Sequence, residues 1–503
     1  MHKPDNPPSD ASPAAEKRPP TLMRHYVRYL NANILTIVAG FISYPVMVRL
    51  LPTEEYGLFG YFQGFILVWI AVLKLGMQHS IRRLYPSHCL GRSIAEQKTF
   101  YTTLVLAPAA LSLVLFALTL AALHAVSLFR PIADLRYLEI ILVISQIGVI
   151  QSLIDNVIRA REESRLAAWL IIVGRYLELV FVVLVIVFLL RSAMGVYWAR
   201  LAAVGLIFFY VVGWARRNCH FDPRSFSGDL FRQSLRFGLP LVASEISFIL
   251  LAFADHVMLR YYHGNTAVGV YSIGYGLAIT VGVVLRFPLE PAFQPVANRL
   301  YETKGIQPVL GLQRRVLHLL LYAVCAITAG LLAVGRDFFL LISGAEKASS
   351  APIFVWIAVN YTLFTVLIVW THGLTLLKRT NRILLTVGGA ALLNVALNIW
   401  LIPRYVEMGA VYSTLIAYGV MGLAQVALCP RDYLPRLLIG DWLRPLALAG
   451  LMLAVAWGTD LFGLTAPIPR LAAMAGVFVI VFVIPAWFID REMREYLREK
   501  LGI

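Results

Sequence analysis

The sequence predicts an all-α, polytopic membrane protein with 14 transmembrane helices, arranged as two pseudo-symmetric six-helix lobes that form a parallel repeat, plus an accessory helix pair. Hydrophobic residues make up 59% of the chain, charged residues only 14%, and the mean hydropathy is +0.74. That composition leaves too little polar surface for a soluble protein of 503 residues. Apolar runs of about 20 residues, enough to cross about 30 Å of hydrocarbon, follow one another along the chain. A helical hairpin near the start recurs near the middle.

The apolar runs divide the chain into four parts. Residues 1–24, rich in Pro, Ala and Ser, cannot bury a core and lack the apolar run of a secretory signal, so we expect a disordered cytoplasmic tail. Helices 1–6 form an N-lobe over 25–217, helices 7–12 form a C-lobe over 230–430, and residues 436–503 hold accessory helices 13–14 and a cytoplasmic tail. The predicted helices cover 30–51, 57–82, 99–124, 136–158, 167–190, 193–215, 235–261, 267–290, 313–334, 352–376, 383–402, 408–428, 444–463 and 469–489.

The basic residues predict the orientation. Of the 44 Lys and Arg residues, 31 fall in the N-terminal tail, the loops after even-numbered helices and the C-terminal segment, and 9 fall in the opposite loops. Because cytoplasmic loops carry the excess of Lys and Arg, we expect a multi-pass protein of the inner, plasma membrane with both termini in the cytoplasm. Anionic membrane lipids facing these loops account for the net charge of +16, so nucleic acid is not an expected partner.

The first hairpin turns at a short polar elbow, residues 51–57, where Pro52 suits the start of a helix and Gly57 suits a close turn. A matching elbow, residues 263–269, follows helix 7, and at an offset of 212 residues Gly57 falls on Gly269. Six helices separate the two copies. We therefore expect parallel repeats related by an axis along the membrane normal, with a substrate cavity between them.

The offset grows along the chain. It is 214 between the segments that begin at Met194 and Met408, and 216 between the Arg-Leu-Tyr segments that begin at Arg83 and Arg299. The drift from 212 equals about one helical turn. Prolines around Pro288 lie in the second copy, so we expect extra or broken turns there.

Two motifs resemble a known family. The segment RLLPTEEYG, residues 49–57, and the segment NVALNIWLIP, residues 394–403, which leads into Met408-Gly409-Ala410, resemble the polysaccharide-transporter branch of the multidrug/oligosaccharidyl-lipid/polysaccharide flippases. The resemblance implies a flippase for a bacterial polysaccharide repeat unit, attached through diphosphate to a polyisoprenoid lipid, as in O-antigen or exopolysaccharide synthesis. It also implies two lobes that alternate access around a basic cavity, with helices 13 and 14 as an accessory pair.

Basic residues inside predicted helices are candidates for binding the diphosphate, because a charge in hydrocarbon usually faces a cavity or a partner. Arg175 and Arg200 can form a ladder of charge across the membrane, since guanidinium groups bind phosphate oxygens in pairs. Arg175 has Glu178 one turn away, so an internal ion pair is the alternative. Arg200 is flanked by aromatic residues, so interfacial anchoring is its alternative. The remaining candidates are Lys74 and Arg286, which otherwise reach headgroups, and Arg49 and Arg260, which otherwise cap helix C-termini.

Acidic residues raise the question of ion coupling. Glu245 and Asp255 in helix 7, and Glu178 in helix 5, are candidates to bind a proton or Na⁺, although no cofactor is required. The alternatives are that Asp255 pairs with His256 or Arg260 and that Glu245 pairs with a cavity Arg. A polar stripe at Asn394 and Asn398 is more typical of hydrogen bonds between helices than of a substrate site.

Other functions remain open. The sequence has no Walker A loop, metal-ligand cluster or dinucleotide fingerprint, and its longest external connection, about 335–352, offers little room for the active site of a polymerase or ligase. We therefore expect a transporter and not an enzyme, with a polysaccharide polymerase as a possible partner. A drug or metabolite exporter and a peptidoglycan-precursor flippase are the remaining alternatives. The four cysteines lie in cytoplasmic loops, in a helix or at a helix end, so no structural disulfide is expected.

Overall fold

The computed structural model describes residues 22–377, 379–461, 467–490 and 494, and across these residues all regular structure is helical. The predicted tail at 1–24 lies almost entirely outside the described residues. The first eight α-helices are α1 (Leu22–Leu50), α2 (Thr53–Leu73), α3 (Met77–Cys89), α4 (Ile94–Tyr101), α5 (Ala107–Phe129), α6 (Leu135–Ala160), α7 (Ser164–Phe188) and α8 (Ala193–Asn218). The others are α9 (Gly228–Lys304), α10 (Ile306–Ser343), α11 (Ala351–Trp370), α12 (Gly373–Leu376), α13 (Thr380–Leu428), α14 (Ile439–Leu461), α15 (Pro467–Val477) and α16 (Ile484–Ile489).

Eleven helices of the described part are long and apolar enough to cross a membrane, and the shorter apolar stretch Ile34–Leu50 lies in α1. Two of the long helices contain one non-helical residue each, Gly264 in α9 and Val406 in α13. These kinks fall in the predicted connections between helices 7 and 8 and between helices 11 and 12. The chain is therefore a multi-pass membrane protein, while the count of 14 helices and the two-lobe layout stay predictions.

The two kinks divide α9 and α13 into two limbs each. We call residues 228–263 and 265–304 the first and second limbs of α9, and residues 380–405 and 407–428 the first and second limbs of α13. The elbow end of the bundle holds the α1–α2 elbow, the two kinks, and the connections α5–α6, α7–α8 and α10–α11. We call the opposite end, whose connections carry most of the Lys and Arg residues, the basic end.

Predicted helix 2 is broken in the structure. Residues 57–82 were expected to be one helix, but α2 ends at Leu73 and α3 begins at Met77, with positive φ at Leu75 (52°) and Gly76 (72°). Gly76 packs backbone to backbone against Gly238 of α9, an approach that a side chain would block. The broken turns expected around Pro288 are absent, because the backbone of α9 is helical from residue 265 to Lys304.

The two elbows pack against each other in a reciprocal way. A Cβ atom placed on Gly57 would overlap the carbonyl oxygen of Asn265, and one on Gly269 would overlap the carbonyl oxygen of Thr53. At the offset of 212 residues, Thr53 corresponds to Asn265 and Gly57 to Gly269. Residues that exchange places across a contact are expected at an interface between two equivalent units, so this contact agrees with the predicted repeat.

The C-terminal helices pack on α10. Met452 of α14 and Met474 of α15 share a buried apolar cluster with Tyr322 of α10. Beside this cluster His318 of α10 lies 3.0 Å from a carboxylate oxygen of Asp441. Helices α14 and α15 are therefore held to α10 by apolar and polar contacts.

The structure also gives the length of the α10–α11 connection and the state of the cysteines. The connection near 335–352, which the sequence predicts to be external, is shorter than expected, because α10 continues to Ser343 and α11 begins at Ala351. All four cysteines are free thiols, as the sequence predicts. Burial raises the pKa of the Cys219 thiol to about 12, so this thiol stays protonated and unreactive.

Candidate functional site

A charged cavity with a volume of about 940 Å³ lies toward the basic end, between α2–α3, α6 and the first limb of α9. Its wall mixes basic, acidic and amide side chains with apolar residues. Helices from both halves of the chain therefore enclose it. The charged and amide residues that line it are Lys74, Gln78, His79, Arg82, Gln151, Asp155, Asn156, Arg159 and Glu245.

One ion pair crosses this cavity. Lys74 Nζ lies 2.9 Å from Glu245 Oε1, and Gln78 Nε2 donates to Glu245 Oε2 at 3.1 Å. Lys74 sits at the C-terminal end of α2, next to the break in that helix, and its side chain is 10% exposed. The expected partner of Glu245 was a cavity Arg, and the structure corrects this to Lys74. The pair joins the N-terminal half of the chain to α9.

A second cavity of about 290 Å³ lies among α1, α6, α7 and α8. Arg175 and Glu178 of α7 line it. Its lining also includes Gln151, Asp155 and Arg159, which belong to the larger cavity as well. The two cavities therefore meet at one face of α6.

Glu178 holds two arginines. Arg175 Nη1 lies 3.1 Å from Glu178 Oε2, and Arg200 Nε lies 3.7 Å from Glu178 Oε1. Arg175 also donates to Ser43 Oγ at 3.4 Å, and Arg200 donates to Gln63 Oε1. The predicted Arg175–Glu178 pair is confirmed as a contact. Because one carboxylate faces two guanidinium groups, the cluster of Glu178, Arg175 and Arg200 keeps a net positive charge.

The alternative role of Arg200 was to anchor the helix at the membrane–water interface together with its aromatic neighbours. The contacts of these residues do not fit that role. Tyr197 is fully buried and donates a hydrogen bond to the carbonyl oxygen of Phe59 at 2.8 Å. Trp198 is exposed, while the Arg200 side chain is 20% exposed and turned toward Glu178. Arg200 lines neither cavity directly but contacts Glu178, which lines the smaller one.

Arg49 and Arg260 lie at the elbow end, as expected, and both bind the other half of the chain. Arg49 Nε donates to the carbonyl oxygen of Ile342 at 2.9 Å, so it caps the C-terminus of α10 and not of its own helix. Arg260 Nη2 lies 2.6 Å from Asp134 Oδ2, with its guanidinium carbon 4.3 Å from the centre of the Tyr61 ring. Both arginines therefore hold the elbow end closed.

Arg286 lies apart from the other candidates. Its guanidinium carbon is 5.4 Å from the centre of the Phe364 ring on α11. It lines neither of the two charged cavities. Of the four basic residues predicted inside helices, Lys74, Arg175 and Arg200 therefore lie in or beside the two cavities. Arg286 instead lies against Phe364 of α11.

Asp255 occupies a separate, fully buried polar site. It accepts hydrogen bonds from Tyr271 at 2.6 Å, from Asn398 at 2.6 Å and from Thr414 at 3.1 Å. These donors lie on the second limb of α9 and on both limbs of α13. The expected alternative partners of Asp255 are wrong, because Arg260 binds Asp134 and the hydrogen-bond donors to Asp255 do not include His256. The interhelical role expected for the Asn394–Asn398 stripe is confirmed at Asn398.

Sequence reasoning missed the α6 face of the cavities. Gln151, Asp155 and Arg159 are four residues apart and so lie along one face of a helix. Arg159 falls just after predicted helix 4, among the cations of a predicted cytoplasmic loop, and Asp155 falls inside that helix near its end. A polar stripe at this spacing inside an apolar run was the signal that would have found them. No group of three or more His, Cys, Asp or Glu side chains in the described part of the chain can hold a metal ion.

Apolar spanning helices from both halves of the chain around a charged cavity define a membrane transporter. A family model described as "Polysaccharide biosynthesis protein" matches residues 23–300. The chain belongs to this family, within the polysaccharide-transporter branch of the multidrug/oligosaccharidyl-lipid/polysaccharide flippase superfamily. No curated protein matches the sequence.

Solved structures share the fold at low identity. The chain is similar to the lipid II flippase MurJ in an inward closed conformation, with a TM-score of 0.64, 16% identity, and coverage of 93% of this chain and 99% of that one. It is also similar to an inward-facing multidrug resistance MATE transporter, with a TM-score of 0.59, 17% identity, and coverage of 80% and 96%. A superfamily transporter from Pyrococcus furiosus matches with a TM-score of 0.55, 16% identity, and coverage of 86% and 96%. These neighbours are a flippase and two transporters.

Proposed function

We propose that this chain is a flippase that carries a polyisoprenyl-diphosphate-linked oligosaccharide from the inner to the outer leaflet of the bacterial plasma membrane. The observation that supports this is the charged lining of the joined cavities. Three carboxylates, Asp155, Glu178 and Glu245, face five cations in or beside the cavities: Lys74, Arg82, Arg159, Arg175 and Arg200. Two of the carboxylates already contact cations. The excess of cations suits a diphosphate, whose charge is costly to move through hydrocarbon unless it is neutralised.

The proposed cycle begins with the cavity open to the cytoplasm. Positive side chains bind the diphosphate, the sugars occupy the hydrated cavity, and the polyisoprenoid tail stays in lipid. The elbow end is then the outer side, and it is closed here by the Gly57–Gly269 contact and by Arg260–Asp134. Lys347 adds a hydrogen bond to Thr53 Oγ1 at 2.9 Å. Rocking of two pseudo-symmetric lobes breaks these contacts and opens the cavity outward.

The experiment that tests this function deletes the gene in its host. It then measures surface polysaccharide and the leaflet that holds the polyisoprenyl-diphosphate oligosaccharide. We expect loss of the polymer, with intact repeat units trapped in the cytoplasmic leaflet. Units that reach the outer leaflet and stay unpolymerised would instead identify a polymerase or its helper. If lipid-linked peptidoglycan precursor accumulates inside, the cargo is that precursor, which the fold shared with a lipid II flippase makes the second candidate.

We further propose that Asp255 binds the coupling ion, a proton or Na⁺. A buried carboxylate that faces neutral donors only is costly unless a cation joins it. Asn398 Oδ1 beside it has no hydrogen-bond partner in the described structure, so it is an oxygen ligand still available to a cation. Glu245, the other acidic candidate in this helix, is already neutralised by Lys74.

Asp255→Asn is therefore expected to abolish the dependence of transport on the ion gradient, because the neutral amide keeps the shape but loses the charge. The measurement is flipping of lipid-linked oligosaccharide in proteoliposomes with an imposed Na⁺ or proton gradient. Asp432→Asn, in the short helical turn after α13, is the matched control and is expected to behave like wild type. A gradient response of the Asp255→Asn protein equal to that of wild type would contradict the assignment.

A further inference from the structure

The two cavities meet at one face of α6, and Asp155 is the acidic residue at the junction. Gln151, Asp155 and Arg159 line both cavities. Asp155 Oδ1 is buried and has no hydrogen-bond partner among the described residues. The other two carboxylates of the cavities, Glu178 and Glu245, each lie within 3.1 Å of a cation. Among the described residues, Asp155 is thus the one acid of this lining that forms no ion pair.

An ionised Asp155 is incompatible with a diphosphate in the same space. The substrate carries negative charge, and like charges in a partly desolvated cavity repel strongly. A protonated carboxyl removes the repulsion and adds an O–H donor for a phosphate oxygen. In the empty cavity the ionised form instead balances the neighbouring cations. The charge of this residue therefore has to differ between the empty and the loaded protein.

We propose that Asp155 binds one proton when the diphosphate headgroup binds and loses it when the headgroup leaves. The carboxylate and a proton from the aqueous cavity form the neutral acid, and the reverse step restores both. This inference rests on the proposed function. It assigns to that site a residue whose protonation changes when the charged headgroup binds. The charged and titratable groups that line the cavities together with Asp155 are Lys74, His79 and Arg82 from α2–α3, Arg159 from α6, Arg175 and Glu178 from α7, and Glu245 from α9.

The lining contributed by the remaining helices carries no charge. Thr36 of α1 is polar, and α8 contributes Ala203, Val204 and Ile207. Among the groups that line the cavities with Asp155, His79 is the one whose type of side chain ordinarily changes charge near neutral pH. A test of proton uptake therefore has to separate Asp155 from His79.

The test uses the full chain in lipid nanodiscs and farnesyl diphosphate as the probe. Calorimetric titrations in two buffers with different ionisation enthalpies give the number of protons taken up on binding. We expect the wild-type protein to take up one proton more than Asp155→Asn above pH 7.5, where the probe itself is fully ionised. Linkage then predicts that the wild-type Kd rises about tenfold per pH unit in that range, whereas the Kd of the variant stays flat.

Two further variants complete the design. His79→Gln is expected to keep the proton uptake, and Asp155→Glu, which retains a carboxyl group, is expected to restore it and guards against a folding defect in the Asn variant. Equal uptake in wild type and Asp155→Asn, or uptake lost in His79→Gln instead, overturns the inference and leaves the proposed function standing. Failure of the wild-type protein to bind farnesyl diphosphate at millimolar concentration counts against the proposed function, and the inference falls with it.

Discussion

Gly57→Ala is expected to leave the protein folded but to cut transport sharply, because the elbow end can no longer close. The new Cβ would overlap the carbonyl oxygen of Asn265, a backbone atom that cannot move aside alone. An overpacked contact costs about 1–3 kcal/mol, and a bias of that size between two states changes their ratio about 5- to 150-fold. The ratio of the closed to the open state at the elbow end should fall by a factor in this range, and transport should fall with it.

Spin labels can measure this shift directly. Phe129 of α5 and Tyr261 of α9 are highly exposed residues at the elbow end, on the two halves of the chain. With the four native cysteines replaced by serine, labels at these positions should report a longer distance in Gly57→Ala than in the parent. Gly205→Ala is the matched control, since a Cβ there meets nothing within 4 Å. Closure and transport equal to the parent would show that the elbow contact is not part of the cycle.

The reciprocity of the contact adds a second check. Gly269→Ala introduces the same overlap from the other side, against the carbonyl oxygen of Thr53. Because both substitutions disturb one contact, their effects should be of similar size and should not add in the double variant. Independent, additive effects would mean that the two glycines serve different contacts.

The fold was predictable from the sequence to the extent that apolar length and turn residues determine it. Most residues of each predicted helix are helical where the chain is described, and the kinks at Gly264 and Val406 fall where turns were expected. The break at Leu75 and Gly76 was not predictable in this way. The length of an apolar run gives no information about a local change in φ. The break also depends on contact with Gly238, 162 residues further along the chain.

The site was predictable in residue type but not in pairing. A charge inside an apolar run indicates a partner or a cavity, and Lys74, Arg175 and Arg200 indeed lie at or beside the cavities. The partners depend on tertiary packing. Only the local pair Arg175–Glu178 was visible from helical spacing, whereas Asp255 reaches Asn398 and Thr414 on a distant helix. Asp155 was missed because a single acid beside a loop cation resembles the end of a span.

Lys74→Gln is expected to remove most transport, and pairing it with Glu245→Gln separates the two roles of this lysine. The single change leaves Glu245 without its cation in the cavity wall. With side chains 10% and 35% exposed, the lost pair should cost about 1–3 kcal/mol of unfolding free energy, between the values for exposed and fully buried pairs. Adding Glu245→Gln removes the unpaired charge, so melting temperature and expression should return toward wild type.

Transport is not expected to return with stability. If the charge of Lys74 serves the diphosphate, the folded double variant still lacks it, and flipping in proteoliposomes stays low. Glu245→Gln alone frees Lys74 from its partner and should bind the farnesyl diphosphate probe more tightly than wild type. Recovery of wild-type flipping by the double variant would show instead that Lys74 and Glu245 only join α2 to α9. The cations around α6 and α7 would then have to bind the headgroup without Lys74.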